Sequence, residues 1–279
     1  MRRAIGLLIV ATLALVAGCG PSTQQLGGVE RKKIYYSIVS LSPSSTELLE
    51  ATQRVNNRLK GRTASDNWPR GQVENIPVVA SVKPDYEKIA ALKPDLVAYD
   101  SDLYGAADVE KIKQLGADVF VVDATTVDGL IKECYALGTM LGGETNMSDY
   151  ADKLTTAKAD AASMTKHPTV AVLMPGTTGQ HMIAGTDSFI ADVIKSSGGV
   201  PVGPKGTQYV SLDPELIVTL NPDYIVCSGP GTALMADPRL KSLKAITQHK
   251  LLAVNPDVLL RRGSRVDILI TAIHDAISK

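Results

Sequence analysis

Two glutamates occupy matching places in two copies of one pattern. Asp85-Tyr86-Glu87-Lys88-Ile89-Ala90-Ala91-Leu92-Lys93-Pro94-Asp95-Leu96-Val97 is answered in the second half by Asp213-Pro214-Glu215-Leu216-Ile217-Val218-Thr219-Leu220-Asn221-Pro222-Asp223-Tyr224-Ile225. Asp, Glu, Ile, Leu, Pro and Asp recur at six shared offsets without a gap. Asp85 and Asp213 are good helix N-caps, and Pro214 suits a first helical position. Glu87 and Glu215 then fall in the first turn, where a carboxylate favours the positive end of the helix dipole. One such glutamate needs no further explanation. Two of them, one per half, suggest two similar lobes with an acidic knob on each.

Other residues suited to holding a ligand cluster where predicted strands end. They are Ser42, Ser44 and Ser45, then Asp100 and Tyr104, then Thr177 and His181, and finally Arg261 and Arg262. In doubly wound α/β units ligands gather at the carboxyl ends of the strands. Arginines there, with Arg265 close behind, can pair with carboxylate or phosphate on a ligand, or simply bridge locally. Trp68 and Tyr209 offer large, stiff faces to a macrocycle, while Trp68 could equally plug the lobe surface. A lone histidine such as His181 is usually a hydrogen-bonded surface residue. The histidines His167, His181, His249 and His274 do not pair at metal-ligand spacing, so no metal site is expected.

Signs of an enzyme are weak. Gly229-Pro230-Gly231-Thr232-Ala233-Leu234 follows a predicted strand, but Pro230 removes an amide that phosphate binding would use, and Leu234 stands where the fingerprint wants a small residue. There is no Walker-type loop and no Gly-x-Ser-x-Gly elbow. A nucleotide-using enzyme and a lipid-anchored scaffold stay as alternatives, since acidic knobs serve any basic partner. No resident cofactor is expected.

The elements that must position these residues follow from periodicity. In the first half, strands are predicted over residues 34–40, 59–63, 95–100 and 117–123. The matching helices are 44–51, opened by Ser44-Ser45-Thr46-Glu47 as a capping box, the first repeat copy, 107–115 and 127–141. Residues 64–77 form a long polar loop, and long loops tend to carry function. Met147, Tyr150, Leu154, Ala157, Ala161 and Met164 make one apolar stripe on a helix ending near Pro168, roughly 30 Å long. The second half repeats the order, with strands at 169–174, 223–227 and 251–254 and helices at 188–196, the second repeat copy and 265–278. Strands alternating with helices predict parallel sheets covered on both faces. The fold class is therefore α/β: two doubly wound lobes, 34–143 and 168–279, joined by one long helix at 144–167, with the ligand cleft between them.

The chain has 279 residues, with 29 basic and 29 acidic side chains, and nothing in this balance marks a nucleic-acid footprint. Its N-terminus carries a separate signal. Met1-Arg2-Arg3, an uncharged apolar run and Val16-Ala17-Gly18-Cys19 read as a signal peptide over residues 1–18, too short for a comfortable membrane span. This resembles the lipobox of bacterial lipoproteins, which implies that Cys19 is lipidated and that residues 19–33 are a flexible tether. Cys134 and Cys227 fall in different lobes and read as two buried thiols.

The whole set resembles the periplasmic solute-binding proteins with a rigid inter-lobe helix that serve ABC importers of cobalamin, ferric siderophores and haem. Ile38-Val39-Ser40-Leu41-Ser42-Pro43-Ser44-Ser45-Thr46-Glu47-Leu48, Ser65-Asp66, both repeat copies and Arg262-Gly263-Ser264-Arg265 carry it, from residue 34 to the end. The resemblance implies that Glu87 and Glu215 dock onto arginines of a permease, itself driven by an ATPase, and that Trp68 and Tyr209 stand where the family often places ligand-facing aromatics. The expected ligand is a corrinoid or a ferric chelate, bound by a monomer held outside the cytoplasm by its lipid anchor. Haem binders of this family use a tyrosine in the stretch that here reads Val79-Ala80-Ser81-Val82-Lys83. Its absence argues against haem, with Tyr104 the nearest substitute.

Overall fold

The computed structural model describes residues 33–279, so the predicted signal peptide, Cys19 and nearly all of the tether lie outside the described residues. The first lobe runs β1 (Ile38–Ser40), α1 (Pro43–Ala51), β2 (Leu59–Thr63), β3 (Val78–Ala80), α2 (Tyr86–Ala91), β4 (Leu96–Asp100), α3 (Ala106–Gln114), β5 (Asp118–Val122) and α4 (Val127–Leu141). Its five strands lie in the order β3-β2-β1-β4-β5 and are all parallel. Then comes α5 (Glu144–Ala162), the connecting helix.

The second lobe runs β6 (Thr169–Met174), β7 (Met182–Ala184), α6 (Phe189–Ser196), β8 (Val200–Pro201), β9 (Tyr209–Ser211), α7 (Pro214–Leu220), β10 (Tyr224–Ser228), α8 (Thr232–Ala236), α9 (Lys244–Thr247), β11 (Leu251–Val254), α10 (Pro256–Leu259) and α11 (Val266–Ile277). Its strand order is β11-β10-β6-β7-β9, with β8 also on β6. The core of the two sheets corresponds, with β11-β10-β6-β8 matching β5-β4-β1-β2 in order and direction. The expectation of two parallel sheets is therefore corrected in one place: β7 runs antiparallel to β6 and to β9.

Each repeat strand shows how the layers divide. Successive side chains of a strand point to opposite faces. In β4, Leu96 and Ala98 join a large cluster that runs through both lobes, while Val97 and Tyr99 join one belonging to the first lobe. In β10, Tyr224 and Val226 join the same large cluster, and Ile225 and Cys227 join one belonging to the second lobe. Ile89 and Ile217, the matching residues of α2 and α7, seal those outer clusters. The shared cluster takes Leu130 and Leu137 from α4, Met147 and Leu154 from α5, Ile194 from α6, and Leu269 and Ile273 from α11. The two lobes thus share one interior.

Local chemistry sets the helix ends. Ser42 caps α1 by accepting from the Ser45 amide at 3.0 Å, with Pro43 in the first turn, so the helix starts ahead of the predicted capping box. Glu47 is left free of capping duty and is 1% exposed. Helix α5 has 19 residues and stops at Ala162, short of the expected 167. Ser163 turns its hydroxyl back to the Asp160 carbonyl at 2.7 Å, which offers the backbone an alternative to another helical turn. Cys134 and Cys227 are free and buried in separate clusters. No helix of the described residues is long and apolar enough to cross a membrane.

Candidate functional site

A cleft of about 580 Å³ opens between the lobes, within the range of small-molecule sites. On the first lobe it is lined where β1, β2, β3 and β4 end, by Leu41, Pro43, Ser44, Ser65, Val82, Asp100 and Tyr104 among others. On the second lobe the start of α6, the chain leading into β9 and the stretch from Pro256 to Arg262 complete it. Another hollow, a groove of about 620 Å³ between α5 and α11, lies where no strand ends and has five aspartates in its wall. The cleft is the better site because both lobes converge on it with mixed polar and apolar groups.

The cleft floor is an ion network tying the lobes together. Arg262, 6% exposed, aims Nε and Nη2 at the two oxygens of Asp100 and donates Nη1 to the Ala124 carbonyl at 3.0 Å. Arg261 reaches Glu47 at 3.1 Å, Asn67 at 2.8 Å and Asp257 at 2.6 Å. Arg265 donates Nε to Glu47 at 3.1 Å and Nη2 to its other oxygen at 2.5 Å. Both arginines expected to meet a ligand are thus taken up by protein carboxylates. Behind them Tyr150 of α5 donates to the Gly263 carbonyl at 2.7 Å and accepts from the Val266 amide at 3.2 Å. A Cβ on Gly263 would lie 2.3 Å from Glu47 Oε2, so the carboxylate fits only because residue 263 has no side chain.

Ser44, Asp100, Tyr104, Tyr209, Arg261 and Arg262 are brought together at the cleft. The remaining predicted ligand residues stand elsewhere, each for a physical reason. Ser42 and Ser45 are fully buried in a hydroxyl cluster with Ser40 that caps α1. Trp68 lays its ring against the Arg265 guanidinium, 4.8 Å from the ring centroid, and so covers the network. Thr177 and His181 belong to the turn between β6 and β7. Because β7 folds back, that turn packs beside Asp237, whose carboxylate lies 3.2 Å from His181 Nε2. The Gly176 amide donates to His181 Nδ1 at 3.1 Å, which puts the ring proton on Nε2, facing Asp237.

Tyr104 donates its hydroxyl to the Leu41 carbonyl, and burial pushes its pKa up to about 12. Tyr209 has a buried hydroxyl without a hydrogen-bond partner among the described residues, and burial raises its pKa too. Glu87 and Glu215 are exposed, each the second residue of its helix, α2 and α7. Those helices begin just after Val82 and Tyr209, which line the cleft from opposite lobes. Among the described residues no group of three or more His, Cys, Asp or Glu side chains is arranged to hold a metal ion.

Glu47, Asp102 and Asp257 were not singled out from the sequence. A glutamate beside Leu48-Leu49 and an Arg-Gly-Ser-Arg run were the available signals, but the pairing spans 218 positions of chain.

A model of the family described as periplasmic binding protein matches residues 38–258. The chain belongs to the periplasmic binding protein family. This binding protein is 26% identical over 298 aligned residues to the uncharacterized ABC transporter substrate-binding lipoprotein YvrC of Bacillus subtilis (strain 168), covering 95% of this chain and 94% of YvrC. It is 25% identical over 225 residues to the high-affinity heme uptake system protein IsdE of Staphylococcus aureus (strain Newman), covering 78% and 74%. The solved structure of the periplasmic vitamin B12 binding protein BtuF of Vibrio cholerae shares its fold, with a TM-score of 0.77 at 21% identity over 87% of this chain and 96% of BtuF. Membership of this family implies a location outside the cytoplasm, and the homologues are binding proteins that serve transport.

Proposed function

We propose that this protein is the substrate-binding component of an ABC importer, which captures a cobalamin-like or ferric-siderophore ligand between its lobes and carries it to a permease. The observation that carries the reading is the cleft itself, lined by both lobes and floored by a network that fixes their spacing. Ser44, Tyr104 and Tyr209 are the proposed ligand contacts. Family membership and the names of the relatives YvrC and BtuF support the importer and the corrinoid.

Haem fits less well, although IsdE is a haem protein by name. Iron ligation by tyrosine needs a phenolate. Tyr104 commits its hydroxyl to the Leu41 carbonyl, and the stretch 79–83 carries no tyrosine. Glu87 and Glu215 are proposed to dock onto basic groups of the permease. Exposed ion pairs contribute only about 0–1 kcal/mol to folding, so charges placed this way serve orientation and encounter. Lipidation of Cys19 would keep the partner's local concentration high.

A thermal-shift screen with cobalamin, cobinamide, a ferrichrome-like siderophore and haemin tests the reading. A ligand at a hundred times its dissociation constant adds about 2.7 kcal/mol of stability. A shift with a corrinoid or the siderophore is expected. No shift with any of them, or with haemin alone, rejects it.

A further inference from the structure

The charges that line the cleft are presented unequally. The side chains of Arg261 and Arg262 are 9% and 7% exposed, while those of their carboxylate partners Asp257 and Asp102 are 38% and 58% exposed. Donor counting explains why the arginines are spent. A guanidinium has five N–H groups. Arg262 directs Nε and Nη2 to Asp100, and Nη1 and Nη2 to the carbonyls of Ala124 and Val122. Arg261 directs Nη1 to Glu47 and Asn67, and Nη2 to the Ser65 carbonyl and Asp257. Neither retains two parallel N–H groups, which bidentate capture of a carboxylate or phosphate requires.

Of the two acids Asp102 keeps capacity that the arginines lack, whereas Asp257 has both oxygens engaged, Oδ1 by Arg261 at 2.6 Å and Oδ2 by Asn67 at 2.7 Å, and contributes chiefly its charge at the rim. Among the described residues the one ion pair of Asp102 is its Oδ2 with Arg262 Nη2 at 3.2 Å, which leaves much of this carboxylate turned to solvent. Three exposed apolar side chains, Val82, Leu103 and Leu260, share the same lining. A ligand entering here therefore meets apolar edges and negative charge, with the positive charge already neutralised behind them.

We infer that Asp102 and Asp257 act as a charge filter on this cleft, admitting a neutral or cationic ligand with an apolar edge and hydrogen-bond donors, and turning polyanionic ferric chelates away. The inference rests on the ligand reading proposed above and narrows it. Exposed carboxylates act through solvent, so the discrimination is strongest at low salt and fades as salt screens it.

The test compares two ferric chelates of similar size, a neutral trihydroxamate and a trianionic tricatecholate, with cobinamide as a corrinoid probe. Binding is read calorimetrically at low and high salt. The wild type is expected to hold the trihydroxamate or cobinamide and to bind the tricatecholate roughly thirtyfold more weakly at low salt. Asp102→Asn, at an exposed position outside the cleft-floor network of Glu47, Arg261 and Asp257, should recover tricatecholate binding by about tenfold, with an unchanged unfolding midpoint as the control for folding. Affinity for the neutral chelate should stay within about twofold, since it carries no net charge to repel. A wild type that prefers the tricatecholate, or a variant that gains nothing for it, overturns the filter and leaves the importer reading standing. Silence toward all three probes overturns the ligand reading and the filter with it.

Discussion

Glu47 of α1 and Arg265 at the head of α11 meet across the two lobes in a two-point contact, Nε to Oε2 at 3.1 Å and Nη2 to Oε1 at 2.5 Å. Arg261 shares the same carboxylate, and the glutamate side chain is 1% exposed. Breaking a buried pair by removing one member leaves the other charge uncompensated. Glu47→Ala is therefore expected to destabilise the protein by about 3–5 kcal/mol in urea unfolding. A loss below about 1 kcal/mol would mean that the arginines find other partners or water.

Gly263 gives an independent check on that contact. A methyl group there would press on Glu47, so Gly263→Ala should cost about 1–3 kcal/mol alone. In the Glu47→Ala background the obstacle is gone, and the same change should cost less than half as much. A double-mutant cycle measures this coupling, and additive costs would show that the strain lies elsewhere.

Glu133 of α4 makes stability fall with rising pH. Burial, with Asp123 as a lesser contributor, pushes its carboxyl up to about 7, one oxygen accepts from the Asp123 amide at 2.8 Å, and the other has no hydrogen-bond partner among the described residues. A folded pKa raised above the unfolded value means that the native state holds a proton which the unfolded chain releases from about pH 4.5 upward. Stability from this group is therefore present at low pH and lost as pH rises toward about 7. Glu133→Gln keeps the acceptor and removes the titration. Its stability relative to wild type should improve by roughly 1 kcal/mol between about pH 5 and about pH 8, a figure discounted for partial exposure. Parallel unfolding curves at both pH values would contradict it.

Charge reversal of Glu87 and Glu215 separates docking from capture. Each reversal should cost about 0.3–1 kcal/mol of stability through the helix dipole. Ligand affinity should be unchanged, while uptake by cells carrying the double lysine variant should disappear. An affinity that collapsed alongside uptake would move these residues from docking to ligand binding.

The shared interior predicts little closure. Core packing, the Asp192 carboxylate accepting from the Val127 amide at 2.7 Å, and the arginine network all join the lobes. Small-angle scattering with and without bound ligand should change the radius of gyration by less than about 0.5 Å, where strand-hinged closure would give more.

Sequence reasoning found what local pattern encodes. Residues 59–63, 127–141, 169–174 and 251–254 form the elements their periodicity predicts, because each has enough residues to show a period. Ile89 and Ile217 hold the same place in the two repeats, and each is buried in the outer cluster of its own lobe. Strands of two or three residues, such as β3, β7, β8 and β9, are too short to show alternation. The short β7 turns the segment after β6 into a hairpin, which carries Thr177 and His181 away from the cleft and, for His181, against Asp237. The ion network was hidden for a different reason. Glu47 and Arg265 are far apart in the chain, and an acid beside two leucines looks locally like any helix surface residue.

The doubling visible in strand order does not extend to how the molecule holds itself up. Leu96 and Tyr224 turn toward the same apolar mass, and α4, α5 and α11 are its walls. Cutting the chain near Gly142-Gly143 would strip each half along that seam, so the halves are expected to survive only as a couple. Heating should melt them in a single step.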